Sequence, residues 1–314
     1  MQDNPLVYIL ILNWNSYKET IECVDACKQL DYQNVRLLVL DNDSKDTSER
    51  TLLADLQGVH FLQTGENLGY AAANNLGIRH ALRHGADYVW LLNPDAVVNP
   101  SSLTTMVHAL VDHPSIGICG PRVANGMEPS TFSFDGLRID PDHGYAWQFN
   151  LADPAQKTDL VDVDCVSGCA MLLRMDMLST IGLLREDFFL YYEDVELSLR
   201  ANDHGWRSVV CATTTVHHDK HVPVTRYATG FRAERSRILL ARLRGNCPPS
   251  NLFSPPTMNL VAGLLKQGAL WKAATLLLAI LLGILCGLVK NKKTIPTVDA
   301  MVKGSSHQPT QHPT

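Results

Sequence analysis

The run Tyr88-Val89-Trp90-Leu91-Leu92 is broken abruptly by Asn93-Pro94-Asp95. A continuous apolar run bounded by turn residues predicts a strand buried on both faces. Pro94 ends the pairing and holds Asn93 extended. Asp95 then stands at the carboxyl edge of the sheet, where ligands of open α/β sheets bind. Its other reading is a cap for the helix expected from near Pro100, and spacing leaves both open.

Two further apolar runs end in the same way. Leu6–Leu12 is followed by Asn13-Trp14-Asn15-Ser16, and Val35–Leu40 by Asp41-Asn42-Asp43-Ser44. Ser16 is placed to cap a helix whose apolar face carries Tyr17, Ile21, Val24, Cys27 and Leu30. A second helix is expected near Thr47–Leu56, with the Asp41–Ser44 turn leading into it. Val59–Gln63 reads as a short strand. The small-residue stretch from Gly65 through Gly77 opens a helix that can pack tightly on a sheet. It lacks the Gly-Lys-Ser/Thr ending of a phosphate loop and the spacing of a dinucleotide fingerprint. Strand and helix therefore alternate, which predicts a doubly wound, mostly parallel α/β sheet. In it the Asn13–Asn15, Asp41–Asp43 and Asn93–Asp95 clusters share one edge.

Downstream, a helix is expected over Pro100–Asp112 and a strand over Ile116–Cys119. Residues 122–160 are rich in Gly, Pro and Asp and read as loops able to shape an acceptor pocket. Strand character resumes over Val163–Arg174. Phe188–Arg200 places Glu193 and Asp194 at a helix N-terminus, where the dipole favours ionised carboxylates. They read either as helix-end electrostatics or as a general base for a hydroxyl. Trp206–Cys211 reads as a strand, followed by His217 and His218, which are either surface residues or a metal or phosphate contact.

Hydrophobic residues make up 46% of the 314 residues and the net charge is −5. No basic stripe marks a nucleic-acid binder. The eight cysteines occur in a long chain with no signal-peptide pattern. Cys23/Cys27 and Cys165/Cys169 lack zinc-site spacing, so reduced thiols are expected.

Six of these motifs occur in the order seen in family 2 glycosyltransferases: Leu12–Ser16, Asp41–Ser44, Glu66–Gly77, Leu92–Asp95, Ser167–Leu172 and Phe188–Leu197. The chain resembles the bacterial rhamnosyltransferase-like group of that family over residues 5–245. The resemblance implies a GT-A fold and inverting sugar transfer from a dTDP- or UDP-linked donor. It implies that Asn13, Trp14, Asp41 and Asn42 hold the nucleotide, with Asn67, Gly69, Asn74 and Asn93 lining the donor site. It implies Asp194 as base with Glu193 beside it. Asp95 and His218, then His217, would hold Mg²⁺ or Mn²⁺. Asn93 stands where many relatives carry a second carboxylate, and an amide oxygen is a weaker ligand. That substitution favours one alternative, a degenerate glycan-binding or scaffold subunit, whereas the intact Glu193-Asp194 pair opposes it. A sugar nucleotidyltransferase is a second alternative, but it would need a basic Gly-rich loop where Asn13–Lys18 stands.

After residue 245 a proline-rich linker (246–258) leads to a segment over 259–293. Within it Ala273–Val289 is uncharged and reaches the lower limit for spanning a bilayer, roughly 17 residues. Trp271 and Lys272 before it, and Lys290, Lys292 and Lys293 after it, suit a membrane interface. A membrane-associated apolar helix and a disordered tail over 294–314 are expected. Together with the resemblance, this implies an enzyme at the cytoplasmic face of the bacterial inner membrane, acting on a lipid-linked glycan or growing polysaccharide.

Overall fold

A computed structural model describes residues 4–45, 52, 55–56, 58–124, 132–140, 144–148, 159–218 and 226–245. Beyond these it describes 261–263, 265–266, 270, 273–274 and 277–278. The linker over 246–258 and the tail over 294–314 lie outside the described residues. So do most of the helix expected near Thr47–Leu56 and most of Ala273–Val289.

The chain runs β1 (Val7–Asn13), α1 (Tyr17–Cys27), β2 (Val35–Asp41), β3 (His60–Gln63), α2 (Gly69–Arg83), β4 (Tyr88–Leu92) and β5 (Ala96–Val98). It continues through α3 (Ser102–Asp112), β6 (Ile116–Ala124), β7 (Phe132–Phe134), β8 (Leu137–Asp140), β9 (Tyr145–Gln148) and β10 (Leu160–Asp162). Then come β11 (Ala170–Arg174), α4 (Met175–Ile181), a 3₁₀ turn (Glu186–Phe188), α5 (Glu193–Asp203), β12 (Arg207–His218) and α6 (Arg226–Leu243). The main sheet has the order β10-β12-β6-β11-β4-β1-β2-β3, with β5 on β12 and β7 on β6. β1, β2, β3 and β4 are mutually parallel and β6 is parallel to β12, whereas β11 is antiparallel to both its neighbours.

Strand alternation divides the apolar residues between two helix layers. Val7, Ile9, Ile11, Trp90 and Leu92 pack with Cys23, Val24 and Cys27 of α1 and with Leu103, Met106 and Leu110 of α3. Tyr8, Leu10, Val89 and Leu91 face the other way, onto Ala71, Ile78 and Ala81 of α2, Met177 of α4 and Leu197 of α5. All five β4 residues are buried, as a strand covered on both faces requires. Each such side chain contributes about 1.5–3 kcal/mol. The small residues of α2 bring it close to the sheet: a Cβ on Gly77 would stand 2.8 Å from both Leu10 and Leu40.

The structure changes several expected boundaries. β6 runs on to Ala124, and residues 122–160 hold β7, β10 and a β8–β9 hairpin, not loops alone. Of Val163–Arg174 only Ala170–Arg174 is a strand. β12 extends past Cys211, through an irregular step before Thr215, to His218. Ser16 stands at the N-cap of α1 without a side-chain cap bond; its carbonyl instead accepts the Thr20 amide at 3.0 Å. Six cysteines among the described residues are free and buried. No described helix is long and apolar enough to cross a membrane.

Candidate active site

The parallel register brings the strand ends together: Asn13 pairs with Asp41, and Ile11 with Leu92. Asp41 is wholly buried and collects donors. Asn13 Nδ2 and Ser44 Oγ each donate to its Oδ1 at 2.5 Å. Gln63 Nε2 donates to Oδ2 at 2.7 Å. Gln63, from β3, was not among the residues singled out in the sequence. Asn42 Nδ2 donates to Asn67 Oδ1 at 3.1 Å, and Asn42 Oδ1 accepts the Leu68 amide at 3.0 Å. The Gly69 amide donates to Asn67 Oδ1 at 3.0 Å. These bonds seat the start of α2 beside the end of β2. Trp14 stands at the rim, 51% exposed, presenting an aromatic surface next to this polar floor. Asn74 is buried and donates to the Tyr70 carbonyl at 3.0 Å.

Asp95 is not a helix cap. β5 lies between it and α3, whose N-cap is Ser101. β5 pairs antiparallel with the extended end of β12, setting His218 opposite Ala96. His218 Nε2 thereby comes 3.0 Å from Asp95 Oδ1 and 3.3 Å from Asn93 Nδ2. Neighbouring strand residues face opposite sides, so His217 alternates away from the face that carries His218. Among the described residues, no group of three or more His, Cys, Asp or Glu gathers to hold a metal. The Asp95–His218 pair with the Asn93 amide offers oxygen and imidazole donors of the kind Mg²⁺ and Mn²⁺ accept, with the remaining positions left to diphosphate and water. Asp95 and His218 are thus two donors of types that a divalent cation accepts.

Asp194 lies in the first turn of α5. It accepts the Gly168 amide at 3.0 Å on Oδ2 and the Val195 amide at 2.8 Å on Oδ1. The approach is close: a Cβ on Gly168 would stand 3.2 Å from Oδ2, so the carboxylate would have to give by a few tenths of an ångström. Burial raises the Asp194 pKa, and the two amides pull it back only in part. Burial first, and then the charge of Asp194, lift Glu193 well above the usual carboxylate range. Glu193 Oε2 is buried without a hydrogen-bond partner. Both carboxyls are thus pushed toward the neutral form, Glu193 by burial and by its neighbour's charge, and only Asp194 has backbone amides drawing it back. The Tyr70 hydroxyl donates to the Gly168 carbonyl, tying α2 to the segment that holds Asp194. Tyr70 and Gly168 lie in the Glu66–Gly77 and Ser167–Leu172 motifs, but the sequence reading gave neither a role of its own.

A cavity of about 580 Å³ lined by Pro5, Asp87, Tyr88, Arg174 and Met175 lies at the opposite end of the strands. Its Arg174 is committed to the Ile116 and Leu110 carbonyls and the Tyr88 hydroxyl.

Residues 8–182 match the family model for glycosyl transferase family 2. A low-salt glycan biosynthesis hexosyltransferase of Haloferax volcanii is 26% identical over 233 residues, covering 71% of this chain and 70% of that one. The N-acetylglucosaminyl-diphospho-decaprenol L-rhamnosyltransferase of Mycobacterium tuberculosis is 28% identical over 207 residues, covering 60% and 67%. Among solved structures, a mannosyltransferase of Pyrobaculum calidifontis in complex with GDP-Man and Mn²⁺ superposes with a TM-score of 0.59 at 15% identity, covering 93% of this chain and 89% of that one.

Proposed function

The chain belongs to glycosyl transferase family 2, and we propose that it transfers rhamnose from a dTDP- or UDP-linked donor to a lipid-linked glycan, inverting the anomeric centre. The observation that carries this reading is the meeting of two unlike groups at one sheet edge. The Asn93–Asp95–His218 corner suits a diphosphate with its cation. Asp194, fixed by two backbone amides, suits the acceptor hydroxyl.

In this reading the floor built on Asn13, Asp41 and Asn42 receives the nucleoside, with Trp14 against the base. Asn67, Gly69 and Asn74 line the sugar. The acceptor hydroxyl attacks the anomeric carbon and gives its proton to Asp194. The bond from that carbon to the diphosphate oxygen breaks on the opposite face, and the electron pair leaves with the diphosphate. Attack and departure on opposite faces invert the centre. A divalent cation held by Asp95 and His218 would supply charge stabilisation to the departing diphosphate. Burial and the charge of Asp194 push Glu193 toward its neutral form.

The rhamnosyl and lipid-diphosphate assignments rest on what the mycobacterial relative is named for. The placement of the C-terminal segment at the cytoplasmic surface of a membrane rests on the uncharged run Ala273–Val289 with its aromatic and basic flanks and on the lipid-linked acceptor in this reading.

The test is nucleoside diphosphate release from a panel of dTDP-, UDP- and GDP-sugars with a membrane lipid extract as acceptor. It is run with Mg²⁺, Mn²⁺ or chelator, on wild type and Asp194→Ala. Turnover of dTDP-rhamnose that disappears in Asp194→Ala is the expected result. Turnover of another sugar alone would replace the donor assignment. No release from any donor, with the extract proven by a second transferase, would leave the glycan-binding reading in its place.

A further inference from the structure

The stretch Phe188–Tyr192 departs from ordinary backbone geometry. Phe189 has φ 61° and ψ −56°, and the Leu190 amide donates to the Phe188 carbonyl at 2.7 Å. This is the rarer, strained form of the γ-turn. Tyr191 and Tyr192 follow at φ 70° and 72°. Side chains with a Cβ disfavour this region, and turns that need it ordinarily take Gly, Asn or Asp. Here the positions are filled by Phe and two Tyr. Such strain persists only where the surroundings over-determine it.

Two sets of contacts do so. On the donor side, the Tyr70 amide donates to the Phe189 carbonyl at 2.6 Å. Gly69, itself at φ 78°, leaves room for Phe189: a Cβ there would stand 2.5 Å from both the Phe189 carbonyl oxygen and its ring. On the far side is α6. The Arg232 guanidinium lies 5.4 Å from the Phe189 ring centroid. Arg235 Nη2 donates to the Asp187 carbonyl at 3.0 Å, and Ser236 Oγ to the Leu190 carbonyl at 3.4 Å. Phe188 is buried with Leu239 and Leu240 of α6 and with Val195 and Leu199 of α5. Directly after this turn come Glu193 and Asp194.

We propose that Phe189 is a positioning residue that holds Asp194 in register with the donor end of α2, with Arg232 and Arg235 of α6 clamping it from behind. This rests on the reading of Asp194 as base. It explains why aromatic residues occupy positions that Gly would fill without strain. The Tyr70–Phe189 backbone bond ties the start of α2 to the turn that carries the base, so the acceptor proton's destination is fixed relative to the donor.

Phe189→Gly tests it. Glycine accepts φ 61° freely, so the turn loses its ring without new backbone strain. The first readout is amide hydrogen exchange at Gly168 and Val195, the two donors to Asp194. The second is kcat and donor KM across pH, on whichever sugar nucleotide the wild type turns over. Exchange at both amides is expected to accelerate about 10-fold or more while the thermal midpoint holds. The kcat is expected to fall about 10- to 100-fold with KM little changed, as for a group misplaced by about 1 Å. Arg232→Ala moves the same readouts less, and Arg232→Lys, which keeps a cation over the ring, restores most of the loss. Unchanged exchange at Gly168 and Val195 overturns the proposal, as does a kcat loss matched in every variant by an equal fall in midpoint. If the wild type turns over no donor, the base assignment fails, and the exchange data still decide whether Phe189 holds the Asp194 carboxylate. If the wild type is active and Phe189→Gly keeps its kcat, only the positioning role is lost.

Discussion

His80 gives a prediction whose size follows from its surroundings. It lies in the last turn of α2, 5% exposed, with its Nε2 buried and unpartnered. His84 stacks on it at 4.2 Å, and His60 and Tyr8 each stand 5.9 Å away. Burial, then the charges of His84, His60 and Arg83, lower its pKa from 6.5 to about 4. The native state therefore refuses a proton that the unfolded chain accepts. Its contribution to stability is full above about pH 6.5 and is lost as pH falls toward 4. Over the whole interval the loss is about 3 kcal/mol, and between pH 7 and pH 5 about 2 kcal/mol. His80→Phe keeps a ring in the cluster and removes the titration. Carboxylates elsewhere also titrate in this range, so the quantity to read is the difference between variant and wild type in urea unfolding at the two pH values. That difference is expected to move by about 2 kcal/mol in favour of the variant on going from pH 7 to pH 5. A difference constant within about 0.5 kcal/mol, an ordinary spread for additive effects, would refute the reasoning. Direct ring-carbon NMR titration showing a midpoint near 6.5 would refute it as well.

Further predictions concern the site. Asp194→Asn keeps the shape but cannot take a proton, and kcat is expected to fall about 10²- to 10⁴-fold; stopped assays over several hours measure the residue. The raised pKa of Asp194 moves the acidic limb of the rate profile up from that of a free aspartate, and a limb at or below the free aspartate value would contradict it. Glu193 has its native pKa raised, so its contribution is present below the unfolded carboxylate range and is lost as pH rises through the native value. Glu193→Gln should unfold at a higher temperature than wild type at alkaline pH and match it near pH 4; equal midpoints throughout would show an ionised, satisfied Glu193. Asp95→Ala and His218→Ala should each lower the apparent Mn²⁺ affinity by at least the roughly 10-fold that loss of an outer-shell partner costs, read from the metal dependence of turnover. Gly69→Ala would put a Cβ at φ 78° and 2.5 Å from Phe189, costing about 2–5 kcal/mol from backbone and overpacking together; denaturant midpoints test this.

The apolar strands were legible because their signal is local. Tyr88–Leu92 is buried at every position, and the run of apolar residues shows it without any partner. The shared edge of Asn13, Asp41 and Asn93 followed from parallel order, which strand–helix alternation carries. What escaped depends on pairing. The sequence reading ended the strand at Cys211, yet the β-branched Thr213, Thr214 and Thr215 beyond it suit a pleated edge, and an irregular step lets the strand resume to His218. Likewise Ala96-Val97-Val98 is too short to stand out alone. It is a strand because His218 pairs with Ala96.

Those two omissions are one fact, and it decides how Asp95 is read. Sequence spacing allowed a helix cap, because only the distance to Pro100 was visible. Once β5 pairs with the end of β12, the residue preceding β5 and the residue ending β12 must be neighbours. Asp95 and His218 are those residues, 123 positions apart in the chain and 3.0 Å apart in space. The Asp194 side closes by the same logic of backbone approach: Gly168 donates to the carboxylate while its carbonyl accepts Tyr70 from α2. Each half of the site is thus fixed by a long-range backbone contact beside a side chain that sequence could name. A change that spares the named residues but shifts the β5–β12 pairing, such as Val97→Pro on the short strand, should separate Asp95 from His218. It would remove the Mn²⁺ response while leaving exchange at Gly168 and Val195 as in wild type. Loss of both together would mean that the two halves are not separately built.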